Sequence, residues 1–328
     1  MSQRQFGVSV VIPAYNAGDF ITGALKRLLE QSMSVQIIVV DDASTDGTGK
    51  MVADFANRDP RVLLLSHDVN QGAAAARQTG VAAAGGRYIW FVDADDEWAA
   101  DGAEVMLAAA EHSGSDIVCA AADYVYQDGR RRSVPALAGG VRLRGDEAFR
   151  EMLLGRLSGH LWNKLFAARL FGDVTFTRSR QHSDQAMVAQ LLVAADSVIG
   201  IADLVYGYRL RTGSIIRSGS RRAESLDSVA QVVLSCAERV GPETPHSHEF
   251  AYYTGRFSLL SRMKDATSGA YTEVETRDLV RRARREMKPA VFASLARERD
   301  AKRLALLIAA RTNLPVYRLA MRREGARS

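Results

Sequence analysis

Three short apolar runs in the first hundred residues end abruptly in clusters of polar side chains, and helix-like stretches separate them. Residues 8–12 run into Pro13-Ala14-Tyr15-Asn16, residues 36–40 into Asp41-Asp42-Ala43-Ser44, and residues 88–92 into Asp93-Ala94-Asp95-Asp96. Residues 61–66 form a further β-branched and leucine-rich run, and helical patterns cover 19–31, 48–57 and 73–84. Strands of this kind alternating with helices predict an α/β fold, a mostly parallel central sheet with flanking helices. In such sheets ligands bind outside the carboxyl ends of the strands, where this sequence gathers its polar groups. The pattern continues with a helix over 102–113 and a strand over 116–121, then breaks at the charged turn Asp128-Gly-Arg-Arg-Arg-Ser. From Gly159 the expected order is helix, loop and a second helix over 183–195, then strands near 198–201 and 205–209. Beyond about residue 217 the chain reads as helical, with no strand-like alternation.

The run Asp93-Ala94-Asp95-Asp96 has no basic residue among its acids, so the carboxylates repel one another unless a cation neutralises them. Alternation along an extended backbone points Asp93 and Asp95 to one side, toward one ligand. The alternative is a solvated turn with Asp96 or Asp101 capping the next helix. Capping by Ser44, Thr45 or Asp46 explains the turn after the second run but not the acids before it, so at least one of Asp41 and Asp42 is expected to meet a ligand.

Composition, at 47% hydrophobic and 25% charged, suits a globular chain with a buried core. Cys119 and Cys236 are far apart and read as isolated thiols. The N-terminus enters a strand after a few polar residues without a signal-peptide pattern, which predicts a cytoplasmic protein. The most apolar helical stretch, 304–310, lies between Arg303 and Arg311 and is far short of the ~20 residues of a membrane span. The net charge of +5 is concentrated in residues 281–328, where 14 Lys/Arg face 4 Asp/Glu. A basic helical tail with apolar clusters either lies on an anionic membrane surface or packs as an appendage with solvated arginines. No nucleic-acid motif accompanies the charge, so no nucleic-acid partner is expected. A dinucleotide-binding GxGxxG is absent after the first strand, Lys50 is followed by Met51 where a P-loop needs Ser or Thr, and a receiver domain would carry its acid pair after the first strand.

Taken in order, the motifs Val8-Ser9-Val10-Val11-Ile12-Pro13-Ala14-Tyr15-Asn16, Val40-Asp41-Asp42-Ala43-Ser44-Thr45-Asp46-Gly47, Asn70-Gln71-Gly72 with Ala76-Arg77, and Gly86-Arg87-Tyr88-Ile89 with Asp93-Ala94-Asp95-Asp96 resemble the family 2 glycosyltransferases of the GT-A fold. Weaker motifs, Trp162-Asn163-Lys164-Leu165-Phe166, His182-Ser183-Asp184-Gln185 and Tyr208-Arg209 to Ser214-Ile215, are similar to the bacterial surface-polysaccharide branch.

The resemblance implies a GT-A catalytic domain over 1–216, with a nucleotide-sugar-binding half to about 115 and an acceptor half over 116–216, followed by a basic helical region over 217–328. It implies an inverting transfer from a nucleotide diphosphate sugar, with UDP as the expected nucleotide, to an acceptor hydroxyl on a carbohydrate or lipid-linked sugar, in polysaccharide or glycolipid synthesis. Donor contacts fall on Pro13, Tyr15, Asn16, Asp42, Arg77, Asp93, Ala94 and Asp95. In these roles Tyr15 packs on the base, Asp42 holds a base edge, Asp93 approaches the ribose, and Asp95 coordinates a divalent ion, Mn2+ or Mg2+. Asp184 occupies the position of the catalytic base, although its neighbours are Ser183 and Gln185 where acids are common. Asp96, Trp162, Lys164, His182, Arg209 and Arg211 are further candidates. Trp162 is read either as a sugar-stacking ring or as core, and Arg77 as a nucleotide contact or a solvated helix residue. The altered surroundings of Asp184 leave a second reading, a nucleotide-sugar- or carbohydrate-binding relative without catalysis.

Overall fold

The computed structural model describes residues 6–177, 182–210 and 221–325. The chain divides into two compact units, one built from residues up to Phe149 and from Arg156 to 210, the other from Arg150–Gly155 and residues 221–325.

The first unit contains a sheet of ten strands: β1 (Phe6–Ala14), β2 (Gln36–Asp41), β3 (Val62–Ser66), β4 (Gly86–Phe91), β5 (Glu97–Trp98), β6 (Ile117–Val125), β7 (Arg131–Ser133), β8 (Arg142–Leu143), β9 (Lys164–Ala167) and β10 (Val198–Arg209). Helices α1 (Gly18–Leu29), α2 (Thr48–Ala56), α3 (Ala73–Ala82), α4 (Gly102–Ser113) and α6 (Ser183–Ala194) belong to it, and α5 (Gly145–Leu153) follows β8. Strands run in the order β3-β2-β1-β4-β9-β6-β10-β5, with β7 on β6 and β8 on β10. The six longest strands, β1, β2, β3, β4, β6 and β10, point the same way, and the short strands run against them. The central parts of β1 and β2 are rich in β-branched residues and buried, as a sheet covered on both faces requires. On α1, Ile21, Ala24, Leu25 and Leu28 are buried at helical spacing, while its polar side faces out.

Strand order decides where a ligand fits. From β1 the chain builds outward to β2 and β3, then returns through α3 to place β4 on the other side of β1. That reversal opens a crevice beyond the carboxyl ends of β1 and β4. Pairing of β1 with β4 reaches Val11↔Phe91, so Pro13 sits beyond it, where the N–H that proline lacks is not needed by β4.

Two sequence expectations are corrected here. The stretch after Gly159 does not open on a helix: β9 inserts antiparallel between β4 and β6, with Trp90↔Leu165 and Cys119↔Lys164 in register, and only a short 3-10 helix, Ala168–Asp173, follows it. Tertiary pairing on both edges overrides the local pattern. The two strands expected at 198–201 and 205–209 are one strand, β10, with register shifts between Gly200 and Leu204 and between Leu204 and Tyr206. The charged turn at Asp128 closes the β6–β7 hairpin.

Insertion of β9 fixes the surroundings of two candidate residues. Trp162 is only 3% exposed and its ring lies against His160, Tyr206 and Tyr208 at centroid distances of 4.6, 4.8 and 5.6 Å. It is a core ring and offers no open face to a sugar. Lys164 is fully buried, and its Nζ donates to His160 O (2.8 Å), Asn163 Oδ1 (2.9 Å) and Ser158 Oγ (3.2 Å). With no carboxylate among these partners, burial pushes the ammonium down to about 8.

The second unit is helical: α7 (Ala223–Val240), α8 (His248–Tyr253), α9 (Leu260–Ala266), α10 (Glu273–Glu286), α11 (Pro289–Arg297), α12 (Ala301–Thr312) and α13 (Leu314–Gly325), with a π turn joining α8 to α9. Its own core includes Leu259, Met263, Leu295, Leu307 and Tyr317. Among the described residues no helix is long and apolar enough to cross a membrane.

Two measurements test this packing. A Cβ on Gly86 would stand 2.5 Å from Ser9 N and 2.8 Å from Val8 C, backbone atoms of the neighbouring strand that cannot step aside. Gly86→Ala is expected to lower unfolding free energy by roughly 1–3 kcal/mol in urea denaturation; an unchanged midpoint would show that β1 and β4 tolerate separation. For Lys164 the folded state releases its proton before the unfolded chain does, so the unfolded chain holds more protons between about pH 8 and ~10. Wild type should therefore gain stability relative to Lys164→Met across that window, on the order of 1–3 kcal/mol. A pH-independent difference would contradict it.

Candidate functional site

Local chemistry at the strand ends ties the first two loops together. Asp46 accepts from Gly18 N (2.8 Å) through Oδ2 and from Thr48 N (3.0 Å) and Oγ1 (2.6 Å) through Oδ1. Thr48 Oγ1 in turn accepts from Ala17 N at 2.9 Å. The loop before α2 thus caps α1, satisfying backbone donors that α1 leaves open. Asn16 Oδ1 accepts from Thr45 N, and Asn16 N donates to Ser44 Oγ, both at 2.9 Å. Asn16 and Ala43 hold positive φ angles of 50° and 62°, a conformation asparagine tolerates and alanine resists. Tyr15, on this clasp at the end of β1, is 54% exposed.

Asp42 has a different position from the one expected. It is buried, and its oxygens accept from Gln71 N (2.9 Å) and Gly72 N (2.7 Å), with His67 Nδ1 2.6 Å away. Burial opposes its charge, yet the Gln71, His67 and Gly72 bonds outweigh it and hold the carboxyl below the ordinary range. Asp42 therefore orders the loop that starts α3, and both oxygens are already taken. His67, whose Nε2 lies 2.9 Å from Thr79 Oγ1, is part of this support. A lone histidine after a strand carries no motif, so nothing in the sequence marks it.

Arg77 projects from α3 and is buried at 6% exposure, which excludes the solvated-helix alternative. Its Nη1 donates to Asp184 Oδ1 at 2.7 Å, and its Nη2 lies 3.7 Å from Asp93 Oδ1. Three candidates from α3, the end of β4 and α6 thus converge, although Arg77 and Asp184 are 107 positions apart. Ser183 Oγ is 3.5 Å from the same Asp184 oxygen, while Oδ2 accepts no hydrogen bond from the described residues. Asp93 and Asp184 keep partial side-chain exposure, 32% and 25%, so both carboxyl groups border open space. Burial, opposed by Arg77 and reinforced by Asp184 and Asp95, pushes the Asp93 carboxyl up to about 6.

Asp96 turns away from this opening. Buried, it accepts from Tyr206 Oη (2.8 Å) and Arg209 N (2.8 Å), and Tyr206 Oη accepts from Asp93 N (3.0 Å). Burial, with Asp93 beside it, raises its carboxyl well above the ordinary range. Neither the cap nor the ligand role fits it: Asp96 fixes the β4 end against β10, with Tyr206 as a connector that no sequence motif announced. The Arg209 side chain pairs with Glu97 at 2.7 Å, so its guanidinium is committed to the short strand β5. His182 precedes α6 at φ 62°, and Ala94 is buried between the two acids. Arg211 lies outside the described residues.

Asp95 is partly buried next to Asp93, and among the described residues no three His, Cys, Asp or Glu side chains converge as a metal cage. One or two carboxylates are what magnesium or manganese takes from protein when phosphate oxygens and water complete its shell. The residues present fit an ion that arrives with a phosphorylated ligand and not a preformed structural metal.

The fold matches that of S. aureus TarS residues 1–349 in complex with UDP-GlcNAc, with a TM-score of 0.69 at 19% identity over 98% of this chain and 92% of that chain. This likeness establishes a GT-A fold. The sequence profile of Glycosyl transferase family 2 matches residues 9–171. Glycosyltransferase GlyG of Streptococcus pneumoniae is 30% identical over 223 residues, 64% of this chain and 73% of GlyG. Succinoglycan biosynthesis protein ExoO of Rhizobium meliloti is 40% identical over 124 residues, 38% of this chain and 35% of ExoO. On these matches, and with the strand-end acids seated where that fold opens, the chain belongs to the family 2 glycosyltransferases.

Proposed function

We propose that the protein is an inverting, divalent-metal-dependent glycosyltransferase that moves a sugar from a nucleotide diphosphate donor, a UDP-sugar, onto a hydroxyl of a carbohydrate or lipid-linked acceptor in polysaccharide or glycolipid synthesis. The observation that carries this reading is the convergence of Asp93, Arg77 and Asp184 at the open end of the sheet. Residues 1–216 serve as the catalytic domain, with donor contacts concentrated before about residue 115 and acceptor contacts after it. The exposed ring of Tyr15 is the surface for the nucleotide base, with Pro13 and Asn16 shaping its loop. Asp42 acts on the donor indirectly, by holding the Gln71-Gly72 turn. Asp93 faces the donor ribose, and Asp95 is the residue that would hold Mn2+ or Mg2+. That ion, when bound, supplies positive charge to the diphosphate as the anomeric bond breaks.

Asp184 is the base in this reading. Arg77 anchors Oδ1 and leaves Oδ2 to take the acceptor proton. The acceptor oxygen then bonds to the anomeric carbon from the face opposite the leaving group, and the nucleoside diphosphate departs with the electrons of the broken C–O bond. A carboxylate oriented by a third group, with one oxygen unengaged, suits general-base work better than a helix-end acid in solvent does. A lipid-linked acceptor would be reached by peripheral contact with the inner face of the cytoplasmic membrane.

The test is release of nucleoside diphosphate from a panel of nucleotide sugars, with and without manganese and with acceptor fractions supplied. Wild type should release it only with metal, while Asp95→Ala and Asp184→Asn should each lose about 10²-fold or more. Unchanged release by Asp184→Asn would remove Asp184 as base. Tight donor binding with no release from any donor and acceptor would favour the non-catalytic, nucleotide-sugar-binding relative.

A further inference from the structure

The helical unit carries a groove of about 960 Å³ whose walls come from α9, α10, α13 and the loop between α9 and α10. Six cations line it, Lys264, Arg277, Arg281, Arg284, Arg285 and Arg318, against a single carboxylate, Glu273. Four of the arginines follow helical spacing on α10 at positions 277, 281, 284 and 285, so they form one stripe.

Elsewhere in this unit several arginines are paired. Arg221 meets Glu275, Arg262 meets Asp227 and Glu286, and Arg303 meets Asp300. In the groove, Lys264, Arg277, Arg285 and Arg318 form no ion pair with the described residues. Arg281 has only the exposed Asp278 at 3.6 Å. Arg284 donates Nε to Ala310 O at 2.9 Å, which aims the guanidinium without neutralising it. Like charges stacked along one helix face weaken that helix, and a bound anion would relieve the repulsion.

We propose that this groove binds a linear anion carrying successive phosphate groups. Length argues for an extended ligand: Arg277 and Arg285 are eight residues apart, ~12 Å along a helix, more than one phosphate can span. Cations on facing walls also surround an anion lying in the groove, whereas a flat bilayer would meet only its rim. Five guanidinium groups offer more donors than planar carboxylates accept, and phosphate oxygens meet them from several directions. Nucleic acid fits poorly, since the one aromatic in the lining, Tyr271, already has Arg221 over its ring at 5.0 Å and gives no stacking platform.

The test titrates the full chain, without nucleotide sugar, with linear polyphosphate, orthophosphate, phosphatidylglycerol vesicles and a single-stranded oligothymidylate. Arg285→Glu changes the groove, and Arg282→Glu makes the same charge change on an exposed part of α10 outside the lining. Saturable polyphosphate binding should weaken roughly tenfold or more in Arg285→Glu and by no more than about twofold in Arg282→Glu. Orthophosphate should bind more weakly than polyphosphate. Equal weakening by the two variants, no saturable polyphosphate binding, or tighter binding to vesicles or oligothymidylate would each overturn the proposal. If thermal melting shows that Arg285→Glu disturbs the fold, Arg318→Glu on α13 takes its place, with the same tenfold loss expected. Because no sugar transfer is measured, the outcome is independent of the catalytic reading.

Discussion

A buried guanidinium cannot stay buried alone, and Arg77 imposes that constraint on the first unit. Stripped of water, it holds its charge only because Asp184 and Asp93 stand beside it, and they raise its affinity for the proton above the ordinary value despite burial. Meeting that demand brings α3, the end of β4 and the start of α6 to one place. An ion pair of this kind adds little net stability once desolvation is counted, but it specifies an arrangement, since any packing that separates the three leaves an uncompensated charge. The arginine is thus a registry device. It sets which oxygen of Asp184 is engaged and which is left over.

Around this centre the backbone is held in conformations that extended chains avoid. Asn16, Ala43 and His182 carry positive φ and sit at the ends of β1 and β2 and at the start of α6. Each costs about 1 kcal/mol or more and persists because neighbouring bonds over-determine it. The clasp of Asp46, Thr48, Ser44 and Asn16 does so for the first two. Loops fixed in this way can present Tyr15 and Asp93 to a ligand with little ordering left to lose on binding.

The two units distribute charge differently. In the first, acids gather at strand ends, Asp93 beside the buried Arg77 and Asp42 and Asp96 on backbone and hydroxyl donors. In the second, a conventional apolar core built on Leu307 and Tyr317 takes up part of the apolar clusters of the basic tail, with Leu304, Leu306, Leu314 and Met321 packed against it. Ile308, Val316 and Leu319 remain exposed, so apolar side chains share the surface of this region with its arginines.

Much of this was written in the local pattern. Apolar runs ending in polar clusters determined the mostly parallel sheet and placed Tyr15, Asp93 and Asp95 at strand ends, because strand period and strand-end polarity are short-range properties. Helical spacing also placed Arg77 and Asp184 on helices. What local pattern could not hold was anything decided by partners distant along the chain. Insertion of β9 turned an expected helix into a strand and made Trp162 and Lys164 core residues. The register of β10 brought Tyr206 to Asp96, and the turn at Gln71-Gly72 closed on Asp42. Whether an acid faces a ligand or fastens the fold depends on which donors reach it, and in Asp42, Asp96 and Asp184 those donors come from residues 29, 113 and 107 positions away. Residue identity set the chemistry available at each position; only the packed chain determined which of those groups remained open to react.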